Sequence, residues 1–249
     1  MVMPLYDDNP FRLRHPPIVT WGLMGVSLLV FLVEFSTRSS LEEMVTRYGL
    51  VPAAFVGDGF VPGALPPALT LLSYMFLHAD IFHFLGNMLF LWVFGDNVEE
   101  ALGRVRFLVF YLGCGVLAAL VFIATDAHAV IPLIGASGAI AGVVIAYVML
   151  RPCAKILVLV SIIPLRLSAY WVVGAFAVLQ FINLGSASKS EVAYWCHIGG
   201  MAAGAALLLL LRPPGVKLFQ CFRPEDVPVG APMPDTAHLP GAPRHGGPH

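Results

Sequence analysis

Long stretches without any charged residue limit the folds open to this chain more than any other feature. Seven such windows cover residues 15–33, 59–79, 81–95, 107–125, 127–150, 167–188 and 192–211. A membrane-spanning helix needs about 20 apolar residues, and a charge at the bilayer centre costs several kcal/mol. The chain is 58% hydrophobic and 12% charged, whereas a soluble domain is about 25% charged. These windows therefore predict a membrane protein and argue against a soluble enzyme.

The windows divide into six predicted transmembrane helices. The fourth begins only at Ser137, because Ile131-Pro132 and a glycine cluster interrupt its window. The second is one continuous helix if Asp80 lies near the outer interface or in a polar interior. The predicted helices cover residues 18–35, 69–95, 104–125, 137–150, 167–185 and 192–211. The predicted fold class is an all-α polytopic membrane protein, with a six-transmembrane-helix bundle over residues 18–211.

The positions of lysine and arginine predict the orientation. With the N-terminus inside, 11 of the 14 basic residues fall in inner segments and three in outer loops, as the positive-inside rule requires. The three outer residues are Arg38, Arg47 and Lys189. Residues 1–17 then form a cytoplasmic N-terminal segment. Residues 212–249, with 9 Pro and 5 Gly in 38 residues, form a disordered cytoplasmic tail.

The start of the chain predicts its location. Glu34 follows the first span without a small-residue cleavage site, so we expect a retained anchor rather than a cleaved signal peptide. Asp7 and Asp8 argue against a mitochondrial transit peptide, because such peptides are poor in acidic residues. The expected location is the inner membrane of a bacterial cell, with both termini in the cytoplasm.

Four polar residues lie within the predicted spans, where apolar residues would cost less: His83, Asn87, Ser137 and His197. The fourth helix has 14 residues. It is therefore about 21 Å long, so its first residue lies roughly 10 Å below the outer boundary of a core about 30 Å thick. His197 lies roughly 8 Å deep in the sixth helix by the same rise. His83 and Asn87 lie in the outer half of the second helix, so all four residues are predicted at similar depth.

Glycine pairs predict which helices touch. Gly138 and Gly142 on the fourth helix form a small-xxx-small pattern, as do Gly200 and Gly204 on the sixth. This pattern lets two backbones approach closely in lipid. The first pair adjoins the serine, and the second begins one turn beyond the histidine. Packing of these helices is therefore predicted to bring the serine hydroxyl to the imidazole.

A serine and a histidine within hydrogen-bond reach form a nucleophile and its general base. His83 and Asn87 share one helix face and carry donors for an oxyanion, and the backbone N–H of Ser137 at an uncapped helix start adds a third. No intramembrane acid is placed to orient His197, so a Ser–His dyad is predicted. Gln180 is open to two interpretations, as a polar cavity wall or as an interhelical hydrogen bond.

Other classes of site find little support in the sequence. The four cysteines are far apart and form no CxxC pair, so we interpret them as isolated small hydrophobic residues. No acidic or Cys/His cluster could hold a metal, and no cofactor is implied. A net charge of −1 and a pI near 6.7 argue against a nucleic-acid partner.

Several motifs occur in a fixed order along the chain. They are His78-x4-His83-x3-Asn87, Gly135-Ala136-Ser137-Gly138 and His197-Ile198-Gly199-Gly200-x3-Gly204, together with Leu50-Val51-Pro52-Ala53 and Gly95-Asp96-Asn97-Val98-Glu99-Glu100. The ordered set resembles the rhomboid family of intramembrane serine proteases, in its bacterial six-helix form. The resemblance implies Ser137 as nucleophile, His197 as general base, and His83 and Asn87 as oxyanion-hole donors. It also implies that the substrates are transmembrane proteins, cut in or near their spans within the bilayer.

Two positions depart from the family pattern. Cys196 precedes the histidine where an alanine is usual, and Ala141 stands where some bacterial members carry a tyrosine under the imidazole.

Two other functions stay open. They are a non-proteolytic rhomboid-like protein that binds transmembrane clients, and a small transporter. A transporter is expected to show an inverted repeat or charges along a path, and a pure binder has no need of the serine–histidine pair.

Overall fold

Helices make up most of the chain. The structure, a computed structural model, describes residues 2–8, 15–36, 41–58, 63–160, 163–185 and 194–221. In these ranges the elements follow in the order β1 (Val2–Asp8), α1 (Ile18–Ser36), α2 (Leu41–Tyr48), α3 (Pro67–Ser73), α4 (Ile81–Leu102), α5 (Arg104–Thr125), α6 (Ser137–Leu150), β2 (Lys155–Val160), β3 (Ile163–Ser168), α7 (Ala169–Gly185) and α8 (Tyr194–Leu211). Short 3-10 helices lie at Pro52–Phe55 and Tyr74–Phe76.

Four helices among the described residues are long and apolar enough to cross a membrane, namely α1, α4, α5 and α8. Helices α6 and α7 are also apolar but shorter. Helix α6 packs against α4, α5 and α8, and it is buried along nearly its whole length from Gly138 to Leu150. A helix surrounded in this way needs no polar face. The chain is therefore a multi-pass helical membrane protein with α6 at the centre of the bundle.

The second predicted helix, residues 69–95, is wrong as a single element. Helix α3 ends at Ser73, and α4 begins at Ile81 directly after Asp80. The Asp80 carboxylate accepts hydrogen bonds from two backbone N–H groups in the first turn of α4, at 2.7 and 3.0 Å. An aspartate that satisfies the free amides of a helix start is an N-cap. Asp80 therefore opens a helix instead of lying within one.

Helix α4 also continues beyond its predicted end to Leu102, and this extension contains a buried acid with hydrogen-bond partners. Glu99 accepts hydrogen bonds from the backbone N–H and hydroxyl of Thr20, both at 2.8 Å, and from the backbone N–H of Val19 at 3.1 Å. These donors lie at the start of α1, so the carboxylate caps one helix while it lies inside another. A buried carboxyl group with three hydrogen bonds is tolerated where an unpaired one is not.

The all-α prediction is wrong in one respect, because three strands form an antiparallel sheet in the order β1-β2-β3. Met3 pairs with Leu159, and Lys155 pairs with Ser168. The sheet contacts α4 through β1, and Asp7 of β1 accepts a hydrogen bond at 2.9 Å from Tyr147, near the end of α6 opposite Ser137. Pairing between the first residues of the chain and a hairpin far along it leaves no local pattern, so hydropathy could not predict it.

The interpretation of all four cysteines as isolated is also wrong. Cys153, after α6, forms a disulfide with Cys221, after α8, while Cys114 and Cys196 are free and buried. The segment after α8 returns to the end of α6, where the backbone N–H of Phe219 donates to the carbonyl of Met149 at 2.7 Å. Residues that meet through such a return have no diagnostic spacing.

Part of the predicted topology falls on residues that the structure does not describe. These are tail residues 222–249 and the basic residues Arg12, Arg14, Arg38 and Lys189. The predicted tail residues 212–221 are described, and they pack against the end of α6.

Candidate active site

Ser137 begins α6 after a turn that requires glycine. Gly135 has φ of +114°, and its N–H donates to the carbonyl of Tyr74 at 2.8 Å. A Cβ at this position would lie 2.7 Å from Nε2 of His83, so both the conformation and the space exclude a side chain. Ala136 at the N-cap provides no side-chain cap. The amides of the first turn therefore depend on other partners.

Glycines bring α6 and α8 into backbone contact. A Cβ on Gly200 would overlap the carbonyl of Gly138, and a Cβ on Gly204 would overlap the carbonyl of Gly142. Such an approach allows extensive van der Waals contact in lipid, where no hydrophobic force drives helices together.

The contact between these helices joins Ser137 and His197. Nε2 of His197 lies 2.8 Å from Oγ of Ser137, which is hydrogen-bond distance for a nucleophile and its base. Both residues are half-buried. The two residues predicted as a dyad are thus adjacent.

Gln180 on α7 holds the other side of the imidazole. Its Oε1 lies 2.8 Å from Nδ1 of His197, and its Nε2 donates to the backbone carbonyl of Phe176 at 3.2 Å. The sequence left two interpretations of Gln180 open, and the structure supports the second, an interhelical hydrogen bond. Sequence reasoning missed that the partner is His197, because the helical period gives a residue's face but not the helix opposite it.

An aromatic ring from α7 lies beside the histidine. The Phe176 ring is 6.3 Å from the His197 ring and 6.2 Å from the Phe90 ring. Ala141, at the position where a tyrosine is found in some bacterial rhomboids, is buried in α6. The aromatic neighbour of the imidazole therefore comes from a different helix, and no signal in the sequence indicated it.

His83 and Asn87 lie on α4 beside the turn before the serine. A Cβ on Gly135 would be 2.7 Å from Nε2 of His83 and 3.8 Å from Nδ2 of Asn87. Asn87 is buried, and its Nδ2 has no hydrogen-bond partner within the described part of the chain. A buried donor left unpaired is costly. This amide is therefore available to an acceptor that enters beside the serine.

His78 supports His83 and does not contact the serine. Its backbone N–H donates to the Glu34 carboxylate at 3.2 Å, and its Nδ1 donates to the carbonyl of Phe76 at 3.2 Å. Its ring lies edge-on to His83, with centroids 5.3 Å apart. Burial lowers the pKa of His78 to about 4, so the ring is neutral at pH 7. Its position favours the role of holding a loop.

The arrangement suits acyl transfer. It provides a hydroxyl beside a base, a partner on the far side of that base, and donors on a neighbouring helix. Among the residues described, no group of three or more His, Cys, Asp or Glu could hold a metal ion.

Comparison with known proteins identifies relatives that are named as rhomboid proteins. The chain is 27% identical over 195 residues to "Rhomboid protein 1, mitochondrial" of Saccharomyces cerevisiae, covering 76% of this chain and 52% of that protein. It is 32% identical over 139 residues to "Presenilin-associated rhomboid-like protein, mitochondrial" of Homo sapiens, covering 54% and 32%. It is 28% identical over 174 residues to "RHOMBOID-like protein 5" of Arabidopsis thaliana, covering 66% and 50%. The chain spans about half the length of these relatives or less.

A family model gives the broader result. The Rhomboid domain model matches residues 67–214, which is more than half of the chain and contains every candidate site residue described above. The three relatives come from yeast, human and a plant, so they bear on the family and not on a bacterial subtype. From this match and the ordered motifs together, the chain belongs to the rhomboid family.

Proposed function

We propose that this protein is an intramembrane serine endopeptidase that cleaves other membrane proteins in or near their transmembrane segments. The observation that carries the proposal is the 2.8 Å separation between Oγ of Ser137 and Nε2 of His197, in two helices of a membrane-embedded bundle. A polar pair at this depth is energetically costly, so its presence indicates a function. Membership of the rhomboid family supports the same reaction.

The reaction uses five groups from four residues of this chain. His197 takes the proton of the Ser137 hydroxyl as Oγ bonds to the scissile carbonyl carbon, and the carbonyl oxygen becomes an oxyanion. Side-chain donors of His83 and Asn87 and the backbone N–H of Ser137 bind that oxyanion. The carbon–nitrogen bond then breaks, and the imidazolium gives its proton to the leaving amine. Water attacks the acyl-enzyme as His197 accepts its proton, and His197 then gives that proton to Oγ of Ser137 as the ester bond breaks.

We propose six membrane crossings, formed by α1, α4, α5, α6, α7 and α8, with both termini cytoplasmic. The positive-inside distribution supports this orientation, and the short α6 leaves Ser137 below the outer surface, where water can reach it. After reduction, a membrane-impermeant maleimide should label Cys153 and Cys221 in inside-out vesicles only. Ser36 lies at the C-terminal end of α1, on the proposed outer side. A Ser36→Cys variant should therefore be labelled in right-side-out vesicles only. The reverse pattern would invert the orientation.

The location we propose is the inner membrane of a bacterial cell. The four long apolar helices support a membrane location. The yeast and human relatives are named as mitochondrial, so a mitochondrial membrane is the alternative. Fractionation of the source cells distinguishes the two.

Reconstitution tests the activity. Liposomes would hold the protein and a single-span reporter with Gly and small residues near its outer end, because a helical peptide bond must unwind before it is cut. Ser137→Ala and His197→Ala should each reduce cleavage by roughly 10³-fold or more. Ser36→Ala, exposed at the end of α1, and His128→Ala, exposed in a loop, are matched controls that should keep full activity.

Two results would contradict the proposal. Equal cleavage by the wild type and both site variants would show that a contaminant cuts the reporter. Reporter that crosslinks to the wild type but is never cut, across several reporter sequences, would favour the non-proteolytic client binder.

A further inference from the structure

Gln180 is the inward-facing polar residue in a lipid-facing stretch of α7. Its neighbours in sequence, Val178, Leu179, Phe181 and Ile182, are each between 46% and 61% exposed, whereas Gln180 is 6% exposed. A buried amide in a membrane helix must find hydrogen-bond partners within the protein. Both ends of this amide do so.

The direction of its two hydrogen bonds fixes the proton on His197. The amide Nε2 donates to the carbonyl of Phe176, so the amide oxygen faces the imidazole at 2.8 Å. An amide oxygen only accepts, which requires that Nδ1 of His197 carry the hydrogen. Nε2 of the neutral ring then has its lone pair directed at Ser137. This is the tautomer that a general base needs.

From this chain of contacts we infer that Gln180 is a positioning residue, which holds His197 in its base-competent tautomer and orientation. The inference rests on the proposed function. Gln180 takes the position that an aspartate takes in a Ser-His-Asp triad, but it does so without a charge. It therefore orients the ring in the resting state and stabilises the imidazolium only through a stronger hydrogen bond. No atom of Gln180 bonds to substrate or exchanges a proton.

Two substitutions separate positioning from packing. Gln180→Met keeps the approximate size and removes the acceptor, whereas Gln180→Glu keeps an acceptor and adds a charge. Leu179→Met places the same side chain on the neighbouring lipid-facing position and is the matched control. Readouts are kcat and KM for the single-span reporter against pH, the rate at which a fluorophosphonate labels Ser137, and thermal unfolding.

For Gln180→Met we expect kcat and the labelling rate to fall by roughly 10- to 100-fold with KM unchanged, a smaller loss than removal of a triad aspartate gives. Gln180→Glu should retain most activity, and the acid limb of its pH–rate profile should move to higher pH by about one unit, because a carboxylate favours the imidazolium. Leu179→Met should match the wild type. A purely structural role of Gln180 would instead lower the melting temperature of Gln180→Met and leave the labelling rate of the folded protein unchanged. Wild-type kcat and pH profile in Gln180→Met would overturn the inference.

A measurement on the unmodified protein covers the case in which both Gln180 variants unfold. Nitrogen-15 NMR of histidine-labelled protein, with the signals of His197 assigned by their loss in His197→Ala, should show the proton on Nδ1 at pH 7. A proton on Nε2 would overturn the inference. The outcomes stay separable from the proposed function, because that fails if Ser137→Ala cleaves as fast as the wild type or if no fluorophosphonate labels Ser137.

Discussion

Gly200 lies directly against the backbone of Gly138, so that a Cβ on Gly200 would occupy the space of the Gly138 carbonyl oxygen. The contact lies one turn from His197 on one helix and one residue from Ser137 on the other. The distance between nucleophile and base is therefore set by the absence of a methyl group. The two helices cannot separate at this point without lengthening the hydrogen bond between Ser137 and His197.

We expect Gly200→Ala to reduce cleavage by roughly 100-fold, because a displacement of about 1 Å at a catalytic pair has an effect of that size. The reporter assay in liposomes measures the change. Gly22→Ala, on α1 with nothing within 4 Å of the added Cβ, is the matched control and should leave activity unchanged. Wild-type activity in a folded Gly200→Ala protein would show that the site tolerates separation of α6 and α8.

The turn before the serine supports a second prediction. Gly135→Ala adds strain at φ of +114° and places a Cβ 2.7 Å from the His83 ring, so we expect the oxyanion donors to shift and kcat to fall by roughly 10-fold or more. Gly103→Ala carries similar strain at φ of +78° but meets open space. It should lower stability by about 1–3 kcal/mol and leave kcat intact. Equal kcat losses in the two variants would assign the effect to strain alone.

The sequence predicts four site residues because each signal is local: Ser137, His83, Asn87 and His197. A polar residue in an apolar window stands out without knowledge of its neighbours, and the glycine spacing marks a close helix contact. Their similar depth follows from the rise per residue and the bilayer thickness, and the contact between serine and histidine follows from the glycine pairs.

Most of the features that could not be predicted depend on partners distant in sequence. Asp80 is the exception, because its role as an N-cap depends on local backbone geometry, whereas its place in an apolar stretch indicated only a position near water or polar groups. Glu99 is buried in α4 because the start of α1 donates to it. The sheet, the disulfide and the bond from Gln180 to His197 likewise join segments that no window of sequence contains together.

Stability should depend on pH through Asp7. Burial raises the pKa of this carboxyl above its ordinary value, against the opposing effects of hydrogen bonds from Tyr147 and Asn97 and of the Arg151 charge. The folded state then holds the proton more tightly than the unfolded state, so the free energy of unfolding falls as pH rises between the two pKa values. Thermal unfolding across this range should show the slope.

Asp7→Asn should remove that part of the slope and raise the melting temperature at neutral pH, because the amide keeps an acceptor without the buried charge. Ser36→Ala, at an exposed residue that does not titrate, is the control and should keep the wild-type slope. An unchanged slope in Asp7→Asn would assign the pH dependence to the neighbouring carboxyl of Asp96, which faces the same cluster.

Reduction of the Cys153–Cys221 disulfide should lower stability without changing the chemistry. The bond closes a loop with a sequence separation of 68, and a native disulfide typically contributes about 2–4 kcal/mol. It lies beyond the C-terminal end of α6, whereas Ser137 begins that helix of 14 residues, about 21 Å away. We therefore expect dithiothreitol to lower the melting temperature and leave kcat unchanged. A Cys153→Ser/Cys221→Ser protein should show the lower melting temperature and no response to the reductant. A fall in kcat on reduction of the wild type alone would show that this end of the bundle is coupled to the site.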